Sequence, residues 1–243
     1  MTEAPGPASP TGLAGLPPVI FVTGTDTGVG KTITTAALAT ALPGTVSVYK
    51  PAQTGVGDGE PGDADEVDRL SGVATVSEGI RLLEAMAPVA AAARQDAALP
   101  PLADHVRHIE KLAAGSDHVL VEGAGGLLVE LDSEGRTLAD LAAVMGNSDV
   151  GGAGVVVVCR SGLGTLNHTL LTLEAIKARS LTAAGLVVTP ILLVVAHAAI
   201  PVGPSQAVTT RCPSPSRSCF ADSRMSELSS ITRIVCPLRF ATW

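Results

Sequence analysis

The chain has 243 residues, a net charge of −7, 26 glycines and only 2% aromatic residues. That length fits one α/β domain with a sizeable core and is short for two. The acidic balance, without a basic run in the first two hundred residues, argues against nucleic acid as a partner.

Residues 1–18 are mostly Pro, Gly, Ala and Thr with an acid at Glu3, lack the basic start and apolar block of a signal peptide, and read as a disordered leader. An apolar run at 19–22 then leads into Thr23-Gly24-Thr25-Asp26-Thr27-Gly28-Val29-Gly30-Lys31-Thr32 and an Ala-rich helical run at 32–42 ended by Pro43-Gly44. Strand, glycine-rich loop and helix in that order predict a phosphate-binding loop. Its backbone N–H groups and the helix dipole meet the anion, Gly28 and Gly30 allow close approach, Lys31 supplies mobile charge, and Thr32 is placed to hold Mg²⁺. The usual G-x-x-x-x-G-K-[ST] spacing would put its first glycine at Thr25, whereas Gly24 stands one residue earlier.

Residues 46–50 read as a second short strand ending at Lys50, followed by a glycine-rich loop at 55–62 and a helix at 63–70. Further helices are expected at 89–95 and 102–114, then a buried strand at 117–121 that delivers Glu122 at its C-terminal end. A helix at 137–144, a Val-rich strand at 154–159, a helix at 165–178 and a strand at 184–188 complete the order. The predicted fold is α/β, a doubly wound, mostly parallel sheet with the phosphate loop after the first strand, helices on both faces, and the site beyond the strand C-termini.

The nearly continuous apolar stretch 183–200 approaches the length of a membrane span, but Gly185, Thr189, Pro190 and His197 interrupt it. Buried strands explain it better, so no membrane is expected. Cys159 falls in a core strand and Cys212, Cys219 and Cys236 in the tail, with no zinc-type spacing. The cytoplasm is the default compartment.

The domain is thus expected over 19–189, with an atypical segment at 190–243. Residues 203–243 are rich in Ser, Arg, Pro and Cys, contain no Lys, and show no clear helical or alternating period beyond a weak run near 231–235. A shifted reading frame near codon 190 and a natural, poorly ordered appendage both fit that change. Sequencing the coding region decides between them.

Three oxygen-bearing side chains are candidates for one Mg²⁺: Thr32, Glu122 beside an unobstructing Gly123-Ala124-Gly125-Gly126, and Asp63. Asp at a helix start is usually an N-cap, which is the other reading of Asp63, with Asp65 two residues away. Lys50, before Pro51, is expected to point into the crevice with Lys31, or else to be a solvated strand-end lysine.

Five strings occur in order: the loop from Gly24 to Thr32, Tyr49-Lys50-Pro51-Ala52-Gln53-Thr54-Gly55, Met86-Ala87-Pro88, Val121-Glu122-Gly123-Ala124-Gly125-Gly126, and Leu163-Gly164-Thr165-Leu166-Asn167-His168-Thr169. Together, over roughly 19–188, they resemble the dethiobiotin synthetase family of the biotin pathway. The resemblance implies an ATP- and Mg²⁺-dependent enzyme that closes a ureido ring on 7,8-diaminopelargonic acid with CO₂. It implies catalytic roles for Lys31 and Lys50, and nucleotide contacts from Asp26, Thr27, Gly28, Val29, Gly30, Lys31, Thr32 and Glu122. Thr32, Asp63 and Glu122 would be the Mg²⁺ ligands. Thr27, Lys50 and Thr54 would line the diamine site. Gly164, Thr165, Leu166 and Asn167 would offer N–H groups to the substrate's distal carboxylate from a neighbouring subunit, which implies a homodimer; an ordinary Gly-Thr helix cap is the other reading of that segment.

This sequence departs from the family pattern in three places. Thr189-Pro190 follows the late strand where the family commonly has an Asn, residues 146–152 look like a small insertion, and no counterpart of the final strand and helix is recognisable. Three other readings compete. A cobalamin-type amidoligase would need an ammonia-generating domain, for which the chain has no room. A ParA-like ATPase switch would carry a second lysine where Asp26 and Thr27 stand. A non-catalytic remnant of the synthetase would have lost its C-terminal part.

Overall fold

The computed structural model describes residue 13 and residues 15–72 and 75–189. The start of the expected leader, the expected tail at 190–243 and its three cysteines lie outside the described residues. Twelve elements follow one another: β1 (Val19–Gly24), α1 (Lys31–Ala41), β2 (Val46–Thr54), α2 (Asp63–Ser71), β3 (Thr75–Leu82), α3 (Pro88–Arg94), α4 (Leu102–Ala113), β4 (His118–Gly126), α5 (Leu138–Gly146), β5 (Ala153–Arg160), α6 (Thr165–Ala178) and β6 (Ala183–Thr189).

The six strands form one sheet in the order β3-β2-β4-β1-β5-β6. Every pairing is parallel, where a mostly parallel sheet was expected. The apolar run of β1 is buried on both sides because alternate residues point to opposite faces. Val19 and Phe21 join Leu102, Ile109, Leu138, Leu141 and Ile176 from α4, α5 and α6. Ile20 and Val22 pack with Ala36, Leu38 and Val67 from α1 and α2 on the other face. Of the expected leader, Leu13 is buried and Leu16 packs against this second cluster.

Three strands differ from the sequence expectation in ways that matter for the site. β3 was not anticipated: its sequence, TVSEGIRL, has neither an apolar run nor strict alternation, because an edge strand has one neighbour and leaves Thr75 and Gly79 exposed. β2 runs on to Thr54, so Lys50 is mid-strand rather than terminal. It can do so through Pro51 because its pairing with β4 stops at Tyr49↔Val121, while its pairing with β3 continues to Thr54↔Leu82. β4 likewise runs to Gly126, four residues past Glu122. The sheet therefore parts between β2 and β4 just where Lys50 and Glu122 stand.

The stretch taken from sequence as an insertion begins with Gly146, the last residue of α5, whose N-terminus is held by Thr137 and Asp140. Of the apolar stretch at 183–200, the described part is β6. Among the described residues, no helix is long and apolar enough to cross a membrane.

Candidate active site

The loop after β1 turns tightly into α1. Gly28 and Gly30 have φ of +66° and +93°, the left-handed region where a side chain is strained. The displaced first glycine also has a steric reason: a Cβ on Gly24 would lie 2.6 Å from the Asp26 carbonyl oxygen and 2.8 Å from Val29 Cγ2. Thr25 N–H still donates to Val158 O of β5 at 2.9 Å, so it can carry a side chain. The N-cap of α1 is Gly30, with no side-chain cap and no acid in the first turn. Its N–H groups and its dipole are left uncompensated, the condition an anion site needs.

Lys31 is buried and donates to the Asp26 carbonyl at 3.2 Å, folding back over the loop. Burial, and then the neighbouring Lys50 charge, push its pKa down; Glu122, Asp63 and Asp26 offset part of this. Asp26 itself is exposed, accepts the Thr27 N–H at 2.8 Å and lies 3.9 Å from Arg160.

Behind the loop, Glu122 is 1% exposed and has different partners on its two oxygens. Oε1 accepts from Thr32 Oγ1 at 3.0 Å and from Lys50 Nζ at 2.9 Å, while Oε2 accepts from Thr35 Oγ1 at 2.7 Å. Lys50 Nζ also reaches Asp63 Oδ2 at 2.5 Å and Gly123 O at 3.3 Å. Burial works against its charge, but Glu122 and Asp63 outweigh burial and hold the Lys50 pKa above its ordinary value. Lys50 is thus no solvated strand-end lysine.

Asp63 does not cap α2. The N-cap is Gly62, whose N–H donates to Asp65 Oδ2 at 2.7 Å, leaving the Asp63 carboxylate for Lys50. Asp63 is held from below by Gln53, whose Oε1 accepts its N–H at 2.8 Å.

These groups open onto one cleft of ≈ 820 Å³ beyond the strand C-termini. Thr27, Gly28, Val29, Gly30, Lys31, Thr32, Lys50, Thr54, Asp63 and Glu122 all line it, with Met86, Ala87 and Pro88 forming part of its wall. Gly164, Thr165, Leu166 and Asn167 are not part of its lining. They form the start of α6, whose N-cap Gly164 (φ +89°) provides no side-chain cap, and Thr165 Oγ1 is buried without a partner. The alternative of an ordinary Gly-Thr cap therefore finds no support from that hydroxyl.

The donor set suits a hard cation. Two carboxylates meet at a single ammonium, and the Thr32 hydroxyl donates to the same Glu122 oxygen that the ammonium reaches, a mixture of few carboxylates and a neighbouring hydroxyl that suits Mg²⁺. Among the described residues there is no cluster of three or more His, Cys, Asp and Glu, as a zinc-type site would require.

A family model described as an AAA domain matches residues 19–195. The ATP-dependent dethiobiotin synthetase BioD of Rhodococcus jostii is 51% identical over 173 residues, covering 70% of this chain and 72% of that protein. The chain belongs to the dethiobiotin synthetase family. The synthetase of Mycobacterium avium is also 51% identical, over 70% of this chain and 74% of its own length, and that of Streptomyces coelicolor is 50% identical, over 70% and 71%.

Two residues that support the site's carboxylates escaped sequence reasoning. Thr35 looks like an ordinary helix residue, and its one clue is the i+4 spacing from Lys31, which puts both on one face of α1. Gln53 lies within a quoted family string but carries no charge to draw attention. Its role is set by the start of α2, ten residues later.

Proposed function

We propose that this chain is an ATP-dependent dethiobiotin synthetase, converting 7,8-diaminopelargonic acid, CO₂ and ATP into dethiobiotin, ADP and phosphate. One substrate amine adds to CO₂ and loses a proton, giving a carbamate. The carbamate oxygen attacks the γ-phosphorus and ADP leaves. The second amine then attacks the carbonyl carbon and loses a proton, phosphate departs, and the new C–N bond closes the ureido ring. No protein nucleophile is needed, so the chain contributes position and charge.

In this reading the loop N–H groups and Lys31 bind the phosphates. Thr32, Asp63 and Glu122 hold Mg²⁺, which would neutralise charge on the transferring phosphoryl group. Lys50 neutralises the carbamate, and Thr27 and Thr54 border the diamine. The observation that carries the assignment is the placement of Lys50 between Asp63 and Glu122 in the cleft that Lys31 also lines. A plain nucleotide switch has no use for a second cation there.

The start of α6 would serve the cleft of a second copy, with its N–H groups meeting the distal carboxylate. Supporting a homodimer, Leu163, Leu166, Leu170 and Leu171 are exposed by 104%, 78%, 59% and 56%, a cluster of large apolar side chains on one short segment. The proposed setting is the cytoplasm, where ATP is available.

The test is mass-spectrometric detection of dethiobiotin after incubation with the diamine, bicarbonate, Mg²⁺ and ATP, beside Lys31→Ala. Product that vanishes in the variant is expected. Soluble, ADP-binding protein that makes no product would sink the assignment and favour the non-catalytic remnant.

A further inference from the structure

We propose that Thr35 is a positioning residue for the reaction, holding the plane of the Glu122 carboxylate at the angle that turns one of its oxygens to the cation site. Glu122 and Thr35 are both buried, at 1% and 0% exposure. The Thr35 hydroxyl lies 2.7 Å from Glu122 Oε2 and 3.0 Å from the Lys31 carbonyl oxygen. It has one proton for these two acceptors, and the carboxylate, charged and nearer, is the stronger. The hydroxyl is therefore committed away from ordinary back-bonding within the helix.

The terminal torsion of a glutamate is soft, so its own rotamer preference does not fix the angle of the carboxylate plane. The hydrogen bond from Thr35 fixes it. The β-branched Thr35 side chain is limited to few χ1 rotamers in a helix, and α1 holds it one turn beyond Lys31. With Oε2 tied to Thr35, Oε1 is left facing Thr32 and Lys50. Thr35 does not line the cleft and would act on the reaction through Glu122.

The inference rests on the proposed function for its kinetic reading, but its primary measurement does not need turnover. Mg²⁺ is titrated calorimetrically into the ADP complex of wild type, Thr35→Val, Thr35→Cys and Thr35→Ser, beside ADP titrations without metal. Partners that hold a metal ligand typically contribute about 10–100-fold to metal affinity or activity. Thr35→Val, which keeps the shape and loses the hydroxyl, is expected to weaken Mg²⁺ binding by about tenfold or more. Its metal-free ADP affinity should stay within about twofold, because the loop donors are untouched. Thr35→Ser restores wild-type Mg²⁺ affinity, and Thr35→Cys, a weak donor, falls between and carries the test should the valine variant fail to fold. Under turnover, the Mg²⁺ concentration for half-maximal rate rises in parallel. A lower melting temperature with unchanged Mg²⁺ affinity would overturn the proposal, as would a serine variant as impaired as the valine. A wild type that binds Mg²⁺·ADP but forms no dethiobiotin would refute the proposed function and leave the role of Thr35 to the titration.

Discussion

Replacing Lys50 with methionine should abolish synthesis and yet tighten Mg²⁺ binding. In the structure the ammonium stands 2.5 Å from Asp63 Oδ2 and 2.9 Å from Glu122 Oε1, so it holds the locus a metal would take between the same carboxylates. With charge centres about 4 Å apart and an effective dielectric of about 20, each pair is worth about 4 kcal/mol gross. Most of that is offset by the desolvation of a buried lysine. If a sixth of the gross attraction of the two pairs survives as net competition, removal of the ammonium lowers the Mg²⁺ dissociation constant about tenfold, equivalent to about 1.4 kcal/mol. The metal-free variant should lose up to about 3 kcal/mol of stability, because the buried Glu122 remains without its cation, whereas Asp63 is partly exposed to solvent. Added Mg²⁺ should then raise its melting temperature more than that of wild type. Calorimetric Mg²⁺ titration and thermal melts with and without metal read both effects. Weaker Mg²⁺ binding in Lys50→Met would refute the reasoning, since Lys50 would then support the cation site instead of competing for it.

Lys31→Ala should lose product formation by at least about a hundredfold while the protein stays folded, the order expected for an electrostatic group at the reacting phosphate; a rate comparison with circular dichroism checks it. His105 is buried, shares a 2.6 Å hydrogen bond with Tyr49, and has its pKa lowered by burial, with His108 adding to the effect and Asp104 and Asp132 opposing it. Below about pH 6.5 the unfolded chain gains a proton there that the folded chain refuses, so stability should fall as pH drops beneath that value, by up to about 1.4 kcal/mol per unit; urea unfolding should show a flatter profile for His105→Gln. The double substitution Leu166→Lys, Leu170→Lys should yield monomer by sedimentation and lose diamine-dependent turnover with little change in ADP affinity; a wild type already monomeric at assay concentration would refute the dimer.

What could be read from the sequence depended on whether the signal was local. The run from Val19 through Thr32 specifies strand, turn and helix within fourteen residues, and the structure gives the two glycines the positive φ the turn needs. Lys50 and Asp63 were harder, since each has an ordinary explanation in its own segment. The two are resolved only by their meeting where the start of α2 faces β2, beside the point at which β2 parts from β4. β3 escaped because an edge strand does not need two apolar faces, and its polar residues Glu78 and Arg81, both partly buried, pair with each other. Thr35 escaped because its partner lies 87 residues away. The start of α6 was recognisable as a turn into a helix, but its distance from the chain's own cleft has no signature in the local pattern.

The place of β1 in the sheet also has a consequence for how the protein is made. Val19 pairs with Val119 on one side and Ala153 on the other, partners 100 and 134 residues later in the chain. During synthesis at about 5–20 residues per second, the strand beneath the phosphate loop waits roughly 7 to 27 s for β5 to follow it. For roughly the first 5 to 20 s of it, until β4 has been made, a run of apolar residues with strong β propensity has neither neighbour. The most recognisable segment of the active site is therefore also the nascent chain's most exposed adhesive surface, and productive folding turns on keeping it from the wrong strand until the right ones arrive.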